Sequence, residues 1–159
     1  MEYTHYYDIT VDNEALYSTM VKGAGLIVKQ AIKDGTMVEF DAVYMYSIFP
    51  DVSQCGGVRE ELKSFLTIEG FGSESCDAFV WPPKNGATHC KTKQLPYDEV
   101  VCACLLLAKH IYGEGMSLSS DGDWDTDWEK GRSLYNKVFD KEPTCPFEEF
   151  YNDYVGAVI

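Results

Sequence analysis

An α+β domain is the architecture this 159-residue sequence predicts: a mostly antiparallel sheet of about five or six strands, with three helices packed mainly on one face. Three observations lead there. The run VVCACLLLA, residues 100–108, is apolar on every face of a helix and must be covered on all sides. Short aromatic or β-branched stretches alternate apolar and polar residues between Gly, Pro and Asp breaks, as half-buried strands do. Two further segments, after Asn13 and after Thr126, place apolar residues at helical spacing. The length suits one domain, residues 1–159, with a sizeable core.

In chain order, YTHYYDITV (3–11) reads as the first strand. Asp12 or Asn13 can cap the helix that follows, in which Leu16, Met20, Ile27 and Ala31 keep one face and Gly35 closes the end. Gly23 and Gly25 weaken that helix, which predicts close approach to the sheet or a kink. Residues 37–49 predict a long strand, central in the sheet because its alternation blurs. PDVSQCGG (50–57) is a loop by composition. Residues 59–68 resume as strand with Leu62, Phe65 and Ile68 inward; AFVW (78–81) is another short strand, and 84–87 a hairpin-like turn.

The core helix is expected from Tyr97 to Tyr112. Pro96 suits its first turn, Asp98 and Glu99 face the positive end of its dipole, and Gly113 supplies a left-handed stop. MSLSS (116–120) follows as a strand and breaks at Asp121-Gly122. Asp121, Asp123, Asp125, Asp127 and Glu129 then alternate with Trp124 and Trp128 between them. A calcium loop of the EF-hand type would need Gly at the sixth position and Glu at the twelfth, where Thr126 and Arg132 stand. Thr126 and Glu129 read instead as a capping box for a last helix, with Trp128, Gly131, Leu134 or Tyr135, and Val138 on its buried face. Trp124 is the freer tryptophan, a lid over the core or a binding anchor. The tail after Phe139 is expected to pack as an edge.

The balance of 26 acidic against 13 basic residues gives a net charge of −13, shared by both halves. No basic footprint for nucleic acid exists, and the field repels phosphate at long range. The start lacks a basic region followed by an apolar core, so a secretory signal is not expected and the 6 cysteines should stay reduced. The core helix is too short to span a membrane. Without a C-x-x-C pair, no structural metal or other cofactor is expected, and a zinc site from His89, Cys90 and distant cysteines is disfavoured.

For catalysis, His89 beside Cys90 is a neighbour pair and not in itself a dyad. His110, late in the core helix, reads as structural. Asp98 and Asp121 could pair as carboxylates if the fold joins them. An enzyme is therefore not the leading expectation. A ligand pocket, if present, is expected where the start of the core helix meets the strand end at Ser119, Ser120 and Asp121. Lys91 and Thr92, just ahead of the helix, could hold a phosphate or carboxylate on its free N–H groups. Tyr97 and Trp124 would complete the ligand-binding set. Arg132 either pairs with Glu129 or offers a bidentate donor to the ligand.

Four patches together, GFGSESCDAFVW (70–81), CKTKQLPYDEVV (90–101), LSSDGDW (118–124) and W-x-x-G-R-x-L-Y (128–135), resemble a group of small proteins of tailed phages and prophages. The resemblance covers roughly residues 65–140 and implies a phage accessory protein acting in the bacterial host cytoplasm. It implies no chemistry. The leading expectation is an acidic protein that binds and inhibits a host bacterial protein, with a component of antiviral defence as the kind of target. A binder of a nucleotide-like small molecule is the alternative, and a small hydrolase or transferase the third.

Overall fold

The computed structural model describes residues 3–43, 64–83 and 88–147. Within them the chain is α+β, in the order β1 (Thr4–Ile9), α1 (Glu14–Lys33), β2 (Glu39–Val43), β3 (Phe65–Glu69), β4 (Phe79–Trp81), β5 (His89–Lys91), α2 (Asp98–Tyr112), β6 (Met116–Ser120) and α3 (Glu129–Phe139). All six strands pair antiparallel, but in two three-stranded sheets, β5-β1-β6 and β2-β3-β4, where the sequence predicts one. The loop at 50–57, the turn at 84–87, Leu62 and the tail beyond Phe147 lie outside the described residues.

α2 explains the layering. Val100 to Ala108 are buried without exception, as a helix apolar all round requires. α1 and α3 pack against it, and β6 covers another side. Two glycines permit the close helix approaches. A Cβ on Gly23 of α1 would stand 2.5 Å from Leu107 Cδ2, and one on Gly131 of α3 would stand 2.4 Å from Cys102 Cβ. Gly23 therefore serves a helix–helix contact, not the sheet contact or kink expected of it, and α1 runs unbroken for 20 residues. Lys137 of α3 reaches Asp34 at the end of α1 at 2.8 Å, and holds that carboxyl below its usual range.

The boundaries follow local chemistry. Asn13 caps α1 by accepting from Leu16 N–H at 2.9 Å, and Gly113 ends α2 at φ 56°. α3 starts differently from the expected capping box. Its N-cap is Trp128, and the Thr126 hydroxyl turns back to Asp123 Oδ2 at 3.1 Å, because that carboxylate already organises the loop through Asp125 N–H and Thr126 N–H. β2 lies at the edge of its described sheet and not at the centre, since β3 takes that place between β2 and β4. In β3 the inward residues are Leu66 and Ile68. Phe65, an odd number of positions from Ile68, faces the other way because side chains alternate along a strand.

Cys76, Cys90, Cys102, Cys104 and Cys145 are free thiols. Burial pushes Cys90, Cys102 and Cys104 well above the ordinary thiol range, whereas Cys145 is exposed. Iodoacetamide at pH 8 should therefore label Cys145 in the folded protein and reach Cys90, Cys102 and Cys104 only after unfolding, which peptide mass spectrometry would check. The sign of the pH effect follows from the same burial. Unfolded thiols ionise near about pH 8.5 and the folded ones do not, so stability is complete below that pH and falls above it. Burial raises the Tyr7, Tyr97 and Tyr112 phenols likewise, so the fall steepens above about pH 10.

Candidate functional site: a closed polar array behind an acidic cleft

Strand alternation turns His5 and Tyr7 to the core side of β1, with buried Tyr3 just ahead of the strand, and His5 is 0 % exposed. Its neighbours across the sheet are Ser120 of β6 and Cys90 of β5. A fully buried imidazole needs partners for both nitrogens. His5 Nδ1 lies 2.8 Å from Ser120 Oγ, and Nε2 lies 2.7 Å from Asp98 Oδ1 at the first residue of α2. Thr92 donates its hydroxyl to the same Asp98 oxygen at 2.5 Å, and Cys102, one turn into α2, has Sγ 3.6 Å from both His5 Nε2 and Asp98 Oδ2. Tyr3 and Trp128 flank the imidazole edge-on at 5.2 and 5.0 Å.

Donor counting fixes the tautomer. Ser120 Oγ accepts from Gly122 N–H at 2.9 Å and from Trp128 Nε1–H at 3.1 Å, which occupies both lone pairs. Its own proton must then go to His5 Nδ1. That nitrogen is the acceptor, so Nε2 carries the ring proton and donates it to Asp98.

Ser120, His5 and Asp98 thus share the order of a nucleophile, base and orienting carboxylate. Two N–H donors, Gly122 N–H and Trp128 Nε1–H, both point at Ser120 Oγ, so its lone pairs are engaged in hydrogen bonds within the fold. His5 Nε2, Asp98 and Cys102 also lie within 4.8 Å of one another, close enough to suggest a metal. Metal ligation at Nε2 would require that nitrogen to lose its proton and Nδ1 to donate to a serine whose lone pairs are full. The array fits its own hydrogen bonds better than it fits an ion, and it ties β1, α2, β6 and the start of α3 together.

Solvent reaches the array at Asp98. An open cleft of about 440 Å³ lies between the starts of α2 and α3, with Gln94, Asp98, Glu99, Asp127, Glu129 and Lys130 in its wall. Asp98 is its floor, with 10 % of the side chain exposed. Glu99 accepts the Thr36 hydroxyl, and Asp127 accepts Gln94 Nε2 at 3.0 Å and Asp123 N–H at 2.8 Å. Among the described residues, Glu99, Asp127 and Glu129 have no cation at ion-pair distance.

The eight residues expected to bind ligand disperse over five places. Thr92 and Ser120 meet through His5 and Asp98. The anion that Thr92 holds is thus the chain's own carboxylate, which displaces the expected phosphate site. Asp121 accepts Thr4 N–H at 3.1 Å and does not pair with Asp98. Lys91 and Tyr97 both turn to Asp77: Lys91 N–H donates to its carboxylate at 3.0 Å, and the buried Tyr97 hydroxyl donates to its carbonyl at 2.7 Å. Ser119 faces Tyr6 across the sheet. Trp124 and Arg132 form a separate cluster, with the guanidinium 4.7 Å from the ring centre and Phe147 packed on the other tryptophan edges. Arg132 pairs with Glu142 at 3.0 Å and not with Glu129.

His5, Asp98 as its partner, Cys102 and Trp128 are the site residues that sequence reasoning passes over. One signal was available for His5, since it shares strand parity with Tyr3 and Tyr7. His110 is exposed, so the buried structural histidine is the one at the other end of the chain. No protein-family model, curated protein or solved structure matches this chain. Among the described residues, no helix is long and apolar enough to cross a membrane.

Proposed function

We propose that this chain is a small acidic phage accessory protein that binds and inhibits a protein of the bacterial host, in the host cytoplasm, with a component of antiviral defence as the kind of target. The observation that carries the reading is the uncompensated acidic cleft. Asp98, Glu99, Asp127 and Glu129 surround it against the single cation Lys130. Carboxylates left without cations at a surface favour a positively charged partner and raise its association rate. A nucleotide-like ligand meets the wrong sign there, since phosphate would face four carboxylates. Hydrolysis loses support because the Ser120 oxygen is fully engaged. The resemblance of residues 65–140 to phage proteins supplies the setting.

Co-purification tests it. Tagged protein expressed in bacteria should retain a host protein with a basic surface in fixed stoichiometry by native mass spectrometry, and release it as salt rises. Recovery of the chain alone, in low salt and across several bacterial hosts, contradicts the proposal.

A further inference from the structure

The chain carries another cleft, and its charge is the reverse of the first. It opens over the last turns of α2, between α3 and the irregular segment 141–146, with a volume of about 400 Å³. Its wall is apolar at Leu106, Pro143 and Pro146, while Lys109 and Lys141 bring ammonium groups. Among the described residues, neither lysine has a carboxylate at ion-pair distance. Lys109 donates to the Met116 carbonyl, which occupies one of its three ammonium protons. Glu142, the acid in the wall, is already engaged: one oxygen accepts from Arg132 Nη2 at 3.0 Å and the other from Asn136 Nδ2 at 3.1 Å. In a protein of net charge −13, this cleft therefore keeps uncompensated positive charge.

A second observation lies in the same wall. Tyr135 of α3 lines the cleft and is only 4 % exposed. Its hydroxyl has no hydrogen-bond partner in the fold, and burial raises its phenol with no hydrogen bond to offset the shift. The side-chain atoms sealed from solvent without a partner are the Tyr3 hydroxyl and Arg132 Nε, so the Tyr135 hydroxyl still meets the outside. The polar tip of a buried tyrosine usually finds a partner. Here the partner has to come from the cleft.

We propose that this cleft binds a small organic acid, one carboxylate on an apolar body about the size of a phenyl ring. The Tyr135 hydroxyl and the Lys109 and Lys141 ammonium groups donate to the carboxylate, whose two oxygens accept at about four lone-pair sites. Leu106, Pro143 and Pro146 cover the body. A single negative charge suits two lysines better than a phosphate dianion, which the field of the whole protein opposes more strongly. An apolar wall with a few convergent donors is the usual make-up of a small-ligand pocket, and the volume lies toward the lower end of their range of about 300–1,000 Å³. The site stands apart from the partner-binding reading, because it shares no residue with the acidic cleft.

Calorimetric titration of the whole protein tests this with phenylacetate, phenylacetamide, acetate and phenyl phosphate. Phenylacetate should saturate a single site. Phenylacetamide, which lacks the charge, and acetate, which lacks the body, should each bind more weakly by roughly tenfold or more, the scale of one charge-assisted hydrogen bond. Phenyl phosphate should bind no more tightly than phenylacetate. Cys145 stands exposed in the cleft wall, so saturating phenylacetate should slow its labelling by iodoacetamide several-fold. Lys141→Gln, a change at an exposed residue, should weaken phenylacetate by roughly tenfold. Tyr135→Phe removes a hydroxyl that the fold does not use, and should weaken phenylacetate several-fold at an unchanged melting temperature. A tetrapeptide ending in phenylalanine with a free carboxylate distinguishes a protein-borne acid from a free one, and should bind more weakly than phenylacetate. Absence of saturable binding, or equal binding of phenylacetamide, overturns the site. Binding that leaves Cys145 labelling unchanged places the acid elsewhere and overturns the cleft. Unchanged affinity in Lys141→Gln or Tyr135→Phe overturns that residue as a donor, and tighter binding of phenyl phosphate or of the peptide overturns a free carboxylic acid as the ligand.

Discussion

Leu105→Ala is expected to destabilise the protein by about 2–5 kcal/mol in a urea melt. Leu105 is fully buried at the middle of α2, with buried residues on both sides of it in the chain. Truncation removes the transfer free energy of the lost carbons, and the rigid wall of α1, α3 and β6 cannot collapse to fill the space, so a cavity remains. A loss below about 1 kcal/mol would mean that α2 is not the core helix.

Asp98→Ala should have an effect of similar size for a different reason. Asp98 Oδ1 receives both the His5 ring N–H and the Thr92 hydroxyl, and its other oxygen faces the Cys102 thiol. Removing the carboxylate leaves two buried donors without acceptors, at about 1–3 kcal/mol each, so a loss of about 2–6 kcal/mol follows. Asp98→Asn retains an acceptor oxygen and should lose less, since neutral hydrogen bonds are weaker than charge-assisted ones. The pair of variants separates this account from simple loss of surface charge. If Asp98→Asn and Asp98→Ala melt alike and close to the wild type, the array does not hold the fold together.

The course of the chain was legible wherever one residue type decides a local question. The all-apolar run of α2, Asn13 as a cap, Gly113 as a stop and the inward Trp128 each follow from one local rule, and each stands in the structure. The division into two sheets was not legible, because strand pairing joins segments far apart in sequence, and no local pattern encodes which of them meet. The capping-box expectation at Thr126 went astray because Asp123, three residues earlier, competes for the same hydroxyl. At the candidate site the gap was wider. Thr92 and Ser120 were recognised as polar residues near the start of α2, but the group that joins them is His5, more than eighty residues away in sequence. Long-range closure of β1 onto β5 and β6 creates that junction, and only tertiary pairing reveals it. Arg132 illustrates the same limit, since its partner is Glu142 in the irregular segment after α3, and helical spacing pointed to Glu129.

The central claim is that binding runs through the acidic cleft at the starts of α2 and α3. Affinity for the co-purified host protein tests it most directly, measured for two double variants with the same change in net charge. Glu99→Gln with Glu129→Gln removes two of the four cleft carboxylates. Glu14→Gln with Glu114→Gln neutralises exposed carboxylates near the opposite end of α2, where the Tyr112 hydroxyl meets Asp12 just ahead of α1. The account predicts a loss of roughly tenfold or more for the cleft variant and little change for the distant one. Equal losses in both would contradict it, because they would reduce the interaction to overall charge with no site.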